Sequence, residues 1–182
     1  MLEKNKVYRA RIQGYTSEGL GVARIDGQAV FVHQALRGEE CDILVLKVLK
    51  NAAFGKAVRV YEPSPHRVEP DCPYYGRCGG CDFRHMDRAE ELDAKRQRVQ
   101  DALRRIGGSA VTVESIDGGE PLHYRNKSQY PVAADGSVGF YKARSHQVIP
   151  VERCCIQKPQ ADAAAQALRT YLRLYGVSCY DE

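Results

Sequence analysis

The fold of the N-terminal third is decided by the stretch LGVARIDGQAVFV, residues 20–32. Two apolar runs, residues 20–25 and 29–32, flank the dipeptide Asp26–Gly27. Asp-Gly between apolar runs is a strong signal for a β-hairpin, because both turn positions require residues that tolerate positive φ. The stretch therefore predicts two antiparallel strands joined by a tight turn.

Further strands are predicted on both sides of this hairpin. Residues 7–12 alternate apolar and charged side chains, as half-buried strands do, and two more strands are expected at about residues 41–49 and 55–61. Five short strands with glycine kinks indicate a small closed or nearly closed barrel of the OB type over residues 1–62. This architecture often binds nucleic acid, although a fold alone does not establish a function.

A linker, a cysteine-rich loop and a helix are predicted in residues 63–108. Three prolines open this segment and prevent regular strand pairing, because proline has no backbone N–H to donate. Asp87 and Glu90 have the spacing of a helix capping box, and Gly107–Gly108 is a helix stop. The predicted apolar stripe of the helix consists of Leu92, Val99, Leu103 and Ile106.

Residues 109–182 are predicted to form a central α+β domain that is incomplete. Asp135–Gly136 is expected to join strands at residues 128–132 and 138–141 in a second hairpin. The last residues, 177–180, look like the start of a strand that has no visible partner. We therefore expect the sequence to stop inside a domain.

A second helix is predicted near the end of the chain. It begins at about Pro159, since proline suits the first turn of a helix, and it stops at Gly176. The fold class expected for the whole sequence is accordingly mixed β and α+β.

Composition excludes several classes of protein. The chain has 182 residues, a net charge of +4 and seven cysteines. Its first residues are charged and no apolar run follows them, and its longest aliphatic run, residues 43–46, is far too short to cross a bilayer. The small positive excess permits nucleic-acid binding through a local patch without demanding it. An odd, clustered set of cysteines favours metal ligation over a disulfide framework and indicates a reducing, cytoplasmic location.

Three of these cysteines lie within the ten residues CPYYGRCGGC, 72–81. Cys72, Cys78 and Cys81 nearly complete the four-thiolate shell of a zinc ion or an iron–sulfur cluster, and Cys154 or Cys155 is the obvious fourth donor. Zinc sites more often show two Cys-x2-Cys pairs, whereas this sequence has one such pair and a distant fourth ligand. The spacing therefore favours a cluster, with zinc as the alternative.

Taken together, these stretches resemble the iron–sulfur-containing RNA uracil-5 methyltransferases, which use S-adenosylmethionine to make 5-methyluridine in ribosomal or transfer RNA. Residues 14–23 look like part of the TRAM domain that begins many of these enzymes, and residues 71–86 look like their cluster loop. The remaining matches follow in family order at residues 124–127, 139–141, 145–146 and 154–157.

The resemblance implies a 4Fe–4S cluster with a structural role. By the family register its ligands are Cys72, Cys78, Cys81 and Cys154, while Cys155 occupies a position that is commonly proline. The cluster would join the linker, the first helix and the central sheet. Cys155 is adjacent to Cys154, so the two thiols compete for the fourth position.

The resemblance also implies what the chain does. It is expected to be the RNA-binding, cluster-bearing N-terminal part of an S-adenosylmethionine-dependent RNA uracil-5 methyltransferase, with 23S ribosomal RNA as the favoured substrate. Family members continue into a methyltransferase domain that binds S-adenosylmethionine and carries the catalytic residues. No catalytic residue of the family is recognised in this sequence, so the chain alone is expected to be inactive.

RNA contacts are predicted around the central hairpin. Basic side chains there are candidates for phosphate contacts and two tyrosines for base stacking. The candidates are Tyr124, Arg125, Lys127, Tyr141, Lys142 and Arg144. The protein is expected to be a monomer without a membrane partner. The rival hypothesis is a stand-alone, non-enzymatic RNA-binding module with a structural zinc or iron–sulfur site.

Overall fold

The computed structural model describes residues 1–180, which form two compact units. Unit 1 consists of Met1–Glu69 and Asp82–Asp117, and unit 2 consists of Pro70–Cys81 and the chain from Gly118 on. The segment 63–108 is therefore shared, because its cysteine loop lies in unit 2 and its helix lies in unit 1. No helix of residues 1–180 is long and apolar enough to span a membrane.

Unit 1 is built on one six-stranded sheet that curls into a half-barrel. The strand order is β1-β5-β6-β4-β3-β2, and every neighbouring pair is antiparallel except β4 with β6. All five predicted strands are present, and a two-residue strand is added at one edge. The strands are β1 Val7–Arg11, β2 Gly14–Tyr15, β3 Gly21–Ile25, β4 Gln28–His33, β5 Glu40–Val48 and β6 Ala52–Glu62.

The hairpin predicted from residues 20–32 is confirmed. Ile25 pairs with Gln28, so the turn contains only Asp26 and Gly27. Their φ angles are 50° and 78°, which is the left-handed conformation that a two-residue turn of this type requires at both positions. The apolar side chains of the hairpin then alternate into the core, where Val30 and Val32 are fully buried.

The linker after the barrel is fastened by a buried ion pair. Glu39 is fully buried and accepts from Arg67 at 2.5 Å and 2.6 Å. The same carboxylate accepts from the backbone N–H of Leu36 at 2.8 Å and of Ser64 at 3.2 Å. Four hydrogen bonds compensate the burial of this charge and hold residues 64–67 against the half-barrel.

The helix of unit 1, α1, spans Arg88–Arg105 and begins as predicted. Asp87 is the N-cap, and its side chain accepts from the N–H of Glu90 at 2.9 Å. The Glu90 side chain is not used in a reciprocal cap. It accepts instead from the Tyr15 hydroxyl at 2.7 Å and from Arg37 at 2.8 Å.

The apolar stripe predicted for α1 is only partly buried, because Leu92 and Leu103 are half-buried and its other two members are exposed. The buried helix residues are Glu90, Ala94 and Gln100, whereas Val99 is 49% and Ile106 is 88% exposed. Polar partners decide this orientation. Glu90 is satisfied by the half-barrel, and the Gln100 amide bonds the backbone of residues 111 and 113 at 2.9 Å and 2.8 Å.

Unit 2 contains a short hairpin and a second helix. Strand β7, Gly139–Tyr141, pairs with β8, Val148–Pro150, and helix α2 spans Pro159–Tyr175. The predicted helix is confirmed, including its stop at Gly176, whose φ is 57°.

The predicted partner of β7 is corrected. Residues 128–132 form no strand and keep a single bridge, between Val132 and Val138. The predicted turn at Asp135–Gly136 is present in part, because the N–H of Ala133 donates to the Ser137 carbonyl at 2.8 Å and the N–H of Gly139 donates to the Pro131 carbonyl at 3.2 Å. Pro131 has no N–H to donate, which limits this ladder, and residues 148–150 form the regular pairing with β7. Residues 177–180 are not a strand.

Candidate metal centre

The four predicted ligands line one pocket of unit 2. Cys72, Cys78 and Cys81 come from the cysteine loop, and Cys154 enters from the segment that precedes α2. The pocket has a volume of about 70 Å³ and mostly apolar walls, and Cys155 also lines it. All seven cysteines of the chain are thiols. The structure thus brings together thiols that are more than 70 residues apart in the sequence.

The cysteine loop is shaped by tight backbone turns. The N–H of Tyr75 donates to the carbonyl of Cys72 at 3.1 Å, and the N–H of Cys78 donates to that of Tyr74 at 2.9 Å. Gly76 permits this course with a φ of 78°. The turns place Cys72 and Cys78 on the same side of the loop, where both line the pocket.

The loop is attached to the hairpin by its first central glycine. The N–H of Gly79 donates to the carbonyl of Tyr141 at 3.0 Å, and Cys78 forms a bridge with Lys142. A Cβ at Gly79 would lie 3.0 Å from the Ala143 Cα and 3.2 Å from the Tyr141 carbonyl oxygen. A side chain here would crowd both backbones, so glycine favours their close approach.

The opposite wall of the pocket is held by the first turn of α2. The Asp162 carboxylate accepts from the N–H of Cys154 at 3.0 Å and from the Tyr130 hydroxyl at 2.9 Å. Sequence reasoning missed Asp162 and Tyr130 in this role. The available signal was an acidic residue in the first turn of the predicted helix, where the N-terminal dipole favours a negative charge.

The pKa of the Cys78 thiol is raised by its surroundings in the pocket. Burial raises the pKa of this thiol, and the neighbouring Cys154 and Cys72 raise it further. The N–H of Gly80 and the charge of Arg125 act in the opposite direction. Close thiols in an apolar pocket resist deprotonation, and a bound metal supplies the positive charge that converts such thiols to ligating thiolates.

The arrangement differs from a closed single-ion site. Within residues 1–180, no three Cys, His, Asp or Glu side chains are positioned to hold one metal ion. The thiols line a common pocket, but they are not arranged around a single ion position. The 4Fe–4S ligand set and the zinc alternative both stay predictions.

The predicted RNA-contacting residues fall into two exposed groups. Tyr141, Lys142 and Arg144 lie at the open end of β7, and the Tyr141 ring stacks on His146 with centroids 5.4 Å apart. Arg144 has a φ of 58°, so the chain turns sharply at this tip. The side chains project from the hairpin that is bonded to the cysteine loop.

The second group precedes the segment that carries Cys154. Tyr124, Arg125 and Lys127 are exposed, and Arg125 forms a parallel bridge with Gln157. The Arg125 side chain lines the cysteine pocket and donates to the Lys127 carbonyl at 3.3 Å. Because Lys142 also forms a bridge with Cys78, both groups adjoin the same pocket.

Fold and site together define a half-barrel domain accompanied by a cysteine-lined pocket in an α+β unit. Residues 2–58 match the TRAM domain family. Across its whole length the chain is 42% identical to a protein of Clostridium tetani and 41% identical to one of Halalkalibacterium halodurans, both named uncharacterized RNA methyltransferases. The chain thus contains a TRAM domain and is similar in sequence, over its whole length, to proteins named RNA methyltransferases. It spans about two fifths of their length, 40% and 41% respectively.

A solved structure has the same fold. The tRNA (uracil-54, C5)-methyltransferase of Pyrococcus abyssi, in complex with S-adenosyl-L-homocysteine, superposes with a TM-score of 0.68 at 22% identity. The similarity covers 95% of this chain and 38% of that protein. At this level of identity the comparison establishes the α+β fold.

Proposed function

We propose that this chain binds RNA and carries an iron–sulfur cluster as part of an S-adenosylmethionine-dependent RNA uracil-5 methyltransferase. The observation that carries the proposal is the gathering of Cys72, Cys78, Cys81 and Cys154 around one pocket. The relatives named RNA methyltransferases and the TRAM domain supply the context in which such a site would act.

The group proposed for the pocket is a 4Fe–4S cluster. Four thiolates are its usual ligand set, and the four predicted ligands line one pocket. A zinc ion instead requires four ligand atoms at about 2.0–2.3 Å from one point. Cys154 is the proposed fourth ligand because the Asp162 carboxylate fixes its backbone. Free thiols of this kind persist in a reducing compartment such as the cytoplasm.

The proposed role of the cluster is structural. Joining Cys72 to Cys154 within unit 2 closes a long loop, which restricts the unfolded chain and stabilises the folded one. Methyl transfer from S-adenosylmethionine is a polar two-electron reaction and needs no redox centre. The cluster is thus proposed to hold the basic groups around the pocket in position for RNA.

The proposed substrate is a uridine of RNA, with 23S ribosomal RNA favoured over transfer RNA by the sequence resemblance. The exposed basic residues Arg125, Lys127, Lys142 and Arg144 would contact phosphates, and Tyr124 and Tyr141 would stack on bases. Methyl transfer is assigned to sequence outside these 182 residues, because the chain spans about two fifths of its relatives.

Metal analysis after anaerobic purification tests the cluster. We expect about four iron and four acid-labile sulfide per chain, lost in Cys72→Ser and Cys154→Ser. Cys179→Ser is the matched control, since Cys179 does not line the pocket. Stoichiometric zinc without sulfide would favour the rival RNA-binding module. If Cys155→Ser loses its iron and Cys154→Ser retains it, the fourth ligand is Cys155 and not Cys154.

RNA binding tests the interface. The double variant Lys142→Gln/Arg144→Gln is expected to weaken binding of a labelled single-stranded oligouridine RNA. It should also reduce the slope of log K against log salt by about 1.4, since each lost phosphate contact contributes about 0.7. Unchanged affinity and slope would remove both residues from the interface.

Incubation with radiolabelled S-adenosylmethionine and ribosomal RNA tests whether the isolated chain can methylate RNA. We expect no methyl transfer by the isolated chain. Formation of 5-methyluridine by residues 1–182 alone would overturn the assignment of catalysis to further sequence.

A further inference from the structure

Two adjacent thiols, Cys154 and Cys155, line the cysteine pocket, although a four-ligand site that includes the cysteine loop needs only one of them. Both residues are half-buried, so exposure does not distinguish them. Their side chains are also chemically identical. What differs is the way in which the backbone of each residue is held, and this difference can decide which thiol is the ligand.

The backbone of Cys154 is bonded to the start of helix α2. Its N–H donates to Asp162 Oδ2 at 3.0 Å, and its carbonyl accepts from the N–H of Gln157 at 3.3 Å. Asp162 lies in the first turn of α2, and Gln157 comes two residues before the helix begins. Both backbone polar groups of Cys154 are therefore used, and its position relative to α2 is fixed.

The backbone of Cys155 is bonded to a different segment. Its carbonyl accepts from the N–H of His123 at 3.0 Å, and the next carbonyl, that of Ile156, accepts from the N–H of Arg125 at 2.9 Å. These bonds connect the second cysteine to residues 123–125. The two neighbouring cysteines are thus held by different parts of unit 2, the first by α2 and the second by residues 123–125.

The Asp162 carboxylate is itself held by a second donor. Its Oδ1 accepts from the Tyr130 hydroxyl at 2.9 Å, while Oδ2 accepts from Cys154. Because each oxygen has a separate donor, the carboxylate is restrained in one orientation. The Tyr130 ring packs against Phe140, with centroids 4.8 Å apart, and Phe140 lines the cysteine pocket. A chain of contacts thus runs from one pocket-lining residue, Phe140, to another, Cys154.

Asp162 also brings a negative charge to the backbone of a proposed ligand. The N-terminus of a helix stabilises such a charge, since the positive end of the helix dipole lies there. Groups that hydrogen-bond to metal ligands orient those ligands, and nearby charge changes the reduction potential of a cluster. The carboxylate therefore has two separable effects on the site, one on ligand position and one on charge.

We infer that Asp162, held by Tyr130, is a positioning residue that makes Cys154 the fourth ligand of the proposed cluster and keeps Cys155 out of that position. The inference rests on the proposed cluster and gives a physical reason why two adjacent thiols form one defined site. Cys155 is then a residue of the pocket wall outside the ligand set. Without the Asp162 carboxylate, Cys154 would lose its bond to α2 and the two thiols would compete.

Iron and acid-labile sulfide, measured per folded chain after anaerobic reconstitution with ferrous iron and sulfide, test the ligand choice. Asp162→Ala should hold less iron than the wild type, since loss of such a partner typically costs about 10–100-fold in metal affinity. Cys154→Ser/Asp162→Ala should retain more iron than Cys154→Ser alone, because the released backbone lets Cys155 become the fourth ligand. A double variant with no more iron than Cys154→Ser would overturn the inference.

The reduction potential of the bound cluster separates charge from position. Asp162→Asn removes the charge and keeps an oxygen that can accept from Cys154, so iron content should stay at the wild-type level while the potential rises. Glu152→Gln is the matched control, because it removes a negative charge two residues before Cys154 from an exposed side chain and should change neither quantity. An unchanged potential in Asp162→Asn, or an equal shift in both variants, would also overturn the inference.

Tyr130→Phe tests the same chain of contacts without altering α2. It keeps the ring that packs on Phe140 and removes only the hydroxyl, so iron loss to a chelator should become faster, and a wild-type rate would overturn the role of Tyr130. If the wild type binds no iron, the proposed cluster itself fails. If the wild type binds a cluster and the Asp162 variants match it in iron content and potential, only this inference fails.

Discussion

At the scale of single residues, Glu39 shows how a buried charge is tolerated. Burial by itself would raise the pKa of this carboxyl, but hydrogen bonds from Arg67 and from the N–H groups of Leu36 and Ser64 hold it below its usual value. The ionised form is therefore the stable one in the folded protein. Its partners lie in the β4–β5 loop and in the linker after β6, so Glu39 connects two separate segments of unit 1.

Removing this carboxylate should lower the stability of the folded protein. Glu39→Ala is expected to lower the free energy of unfolding by about 3 kcal/mol, because the charge of Arg67 and two backbone N–H groups lose an acceptor in a dry site. Urea unfolding followed by circular dichroism measures the change. The control is Glu62→Ala, whose 61% exposed carboxylate contacts Arg11 and should contribute less than about 1 kcal/mol. Equal losses in both variants would contradict the special role of Glu39.

The same residue predicts a pH dependence. A carboxyl whose pKa is lower in the folded than in the unfolded state adds stability at pH values above the unfolded pKa, about 4.3 for Glu. That stability is lost as the pH falls through the folded pKa. The difference in unfolding free energy between wild type and Glu39→Gln should therefore narrow below about pH 4. A difference that stays constant during acid titration would contradict this assignment.

At the scale of elements, α1 depends on the cap that begins it. Asp87 accepts from the N–H of Glu90 and contacts His66 Nδ1 at 2.9 Å. Asp87→Ala should lower the free energy of unfolding by about 1 kcal/mol, whereas Asp87→Asn retains a capping oxygen and should lose less. Thermal melts of the two variants make the comparison. Identical losses would show that the contact with His66, rather than the cap, supplies the stability.

The attachment of the cysteine loop to β7 is also an element-scale feature. Gly79→Ala would place a Cβ against the backbone of Ala143 and Tyr141, so it should separate the loop from the hairpin and reduce the iron content of the purified protein. Gly80→Ala is the adjacent control, because its nearest contact is the Cys78 Sγ at 3.4 Å, an ordinary van der Waals distance. Iron content that falls equally in both variants, or in neither, would contradict this role for Gly79.

At the scale of the whole molecule, the two units should respond differently to loss of the proposed cluster. The proposed ligands Cys72 and Cys154 both belong to unit 2, and the hydrophobic core of the half-barrel belongs to unit 1. After iron is removed by a chelator under reducing conditions, hydrogen exchange should become faster in β7 and β8. Exchange in β3 and β4 should remain slow, since a six-stranded sheet with its own core needs no metal. Equal loss of protection in both units would contradict a structural role confined to unit 2.

Sequence by itself determined the features that depend on neighbouring residues. The turn at Asp26–Gly27, the cap at Asp87 and the stop at Gly176 were all predicted, because each follows from the conformational limits of a few residues. The five strands of the half-barrel were predicted for the same reason, since alternation along each strand records which face is buried.

Only the tertiary structure decided the features that depend on distant partners. Hydrogen bonds from Tyr15 and Arg37 turned Glu90 inward and left Val99 exposed, against the apolar pattern of α1. The pairing of β7 with β8 likewise joins segments whose relation is not marked by any local pattern. The gathering of Cys154 with the cysteine loop also required the folded chain. Local patterns fix conformation, but which surfaces meet depends on contacts between residues that the sequence keeps far apart.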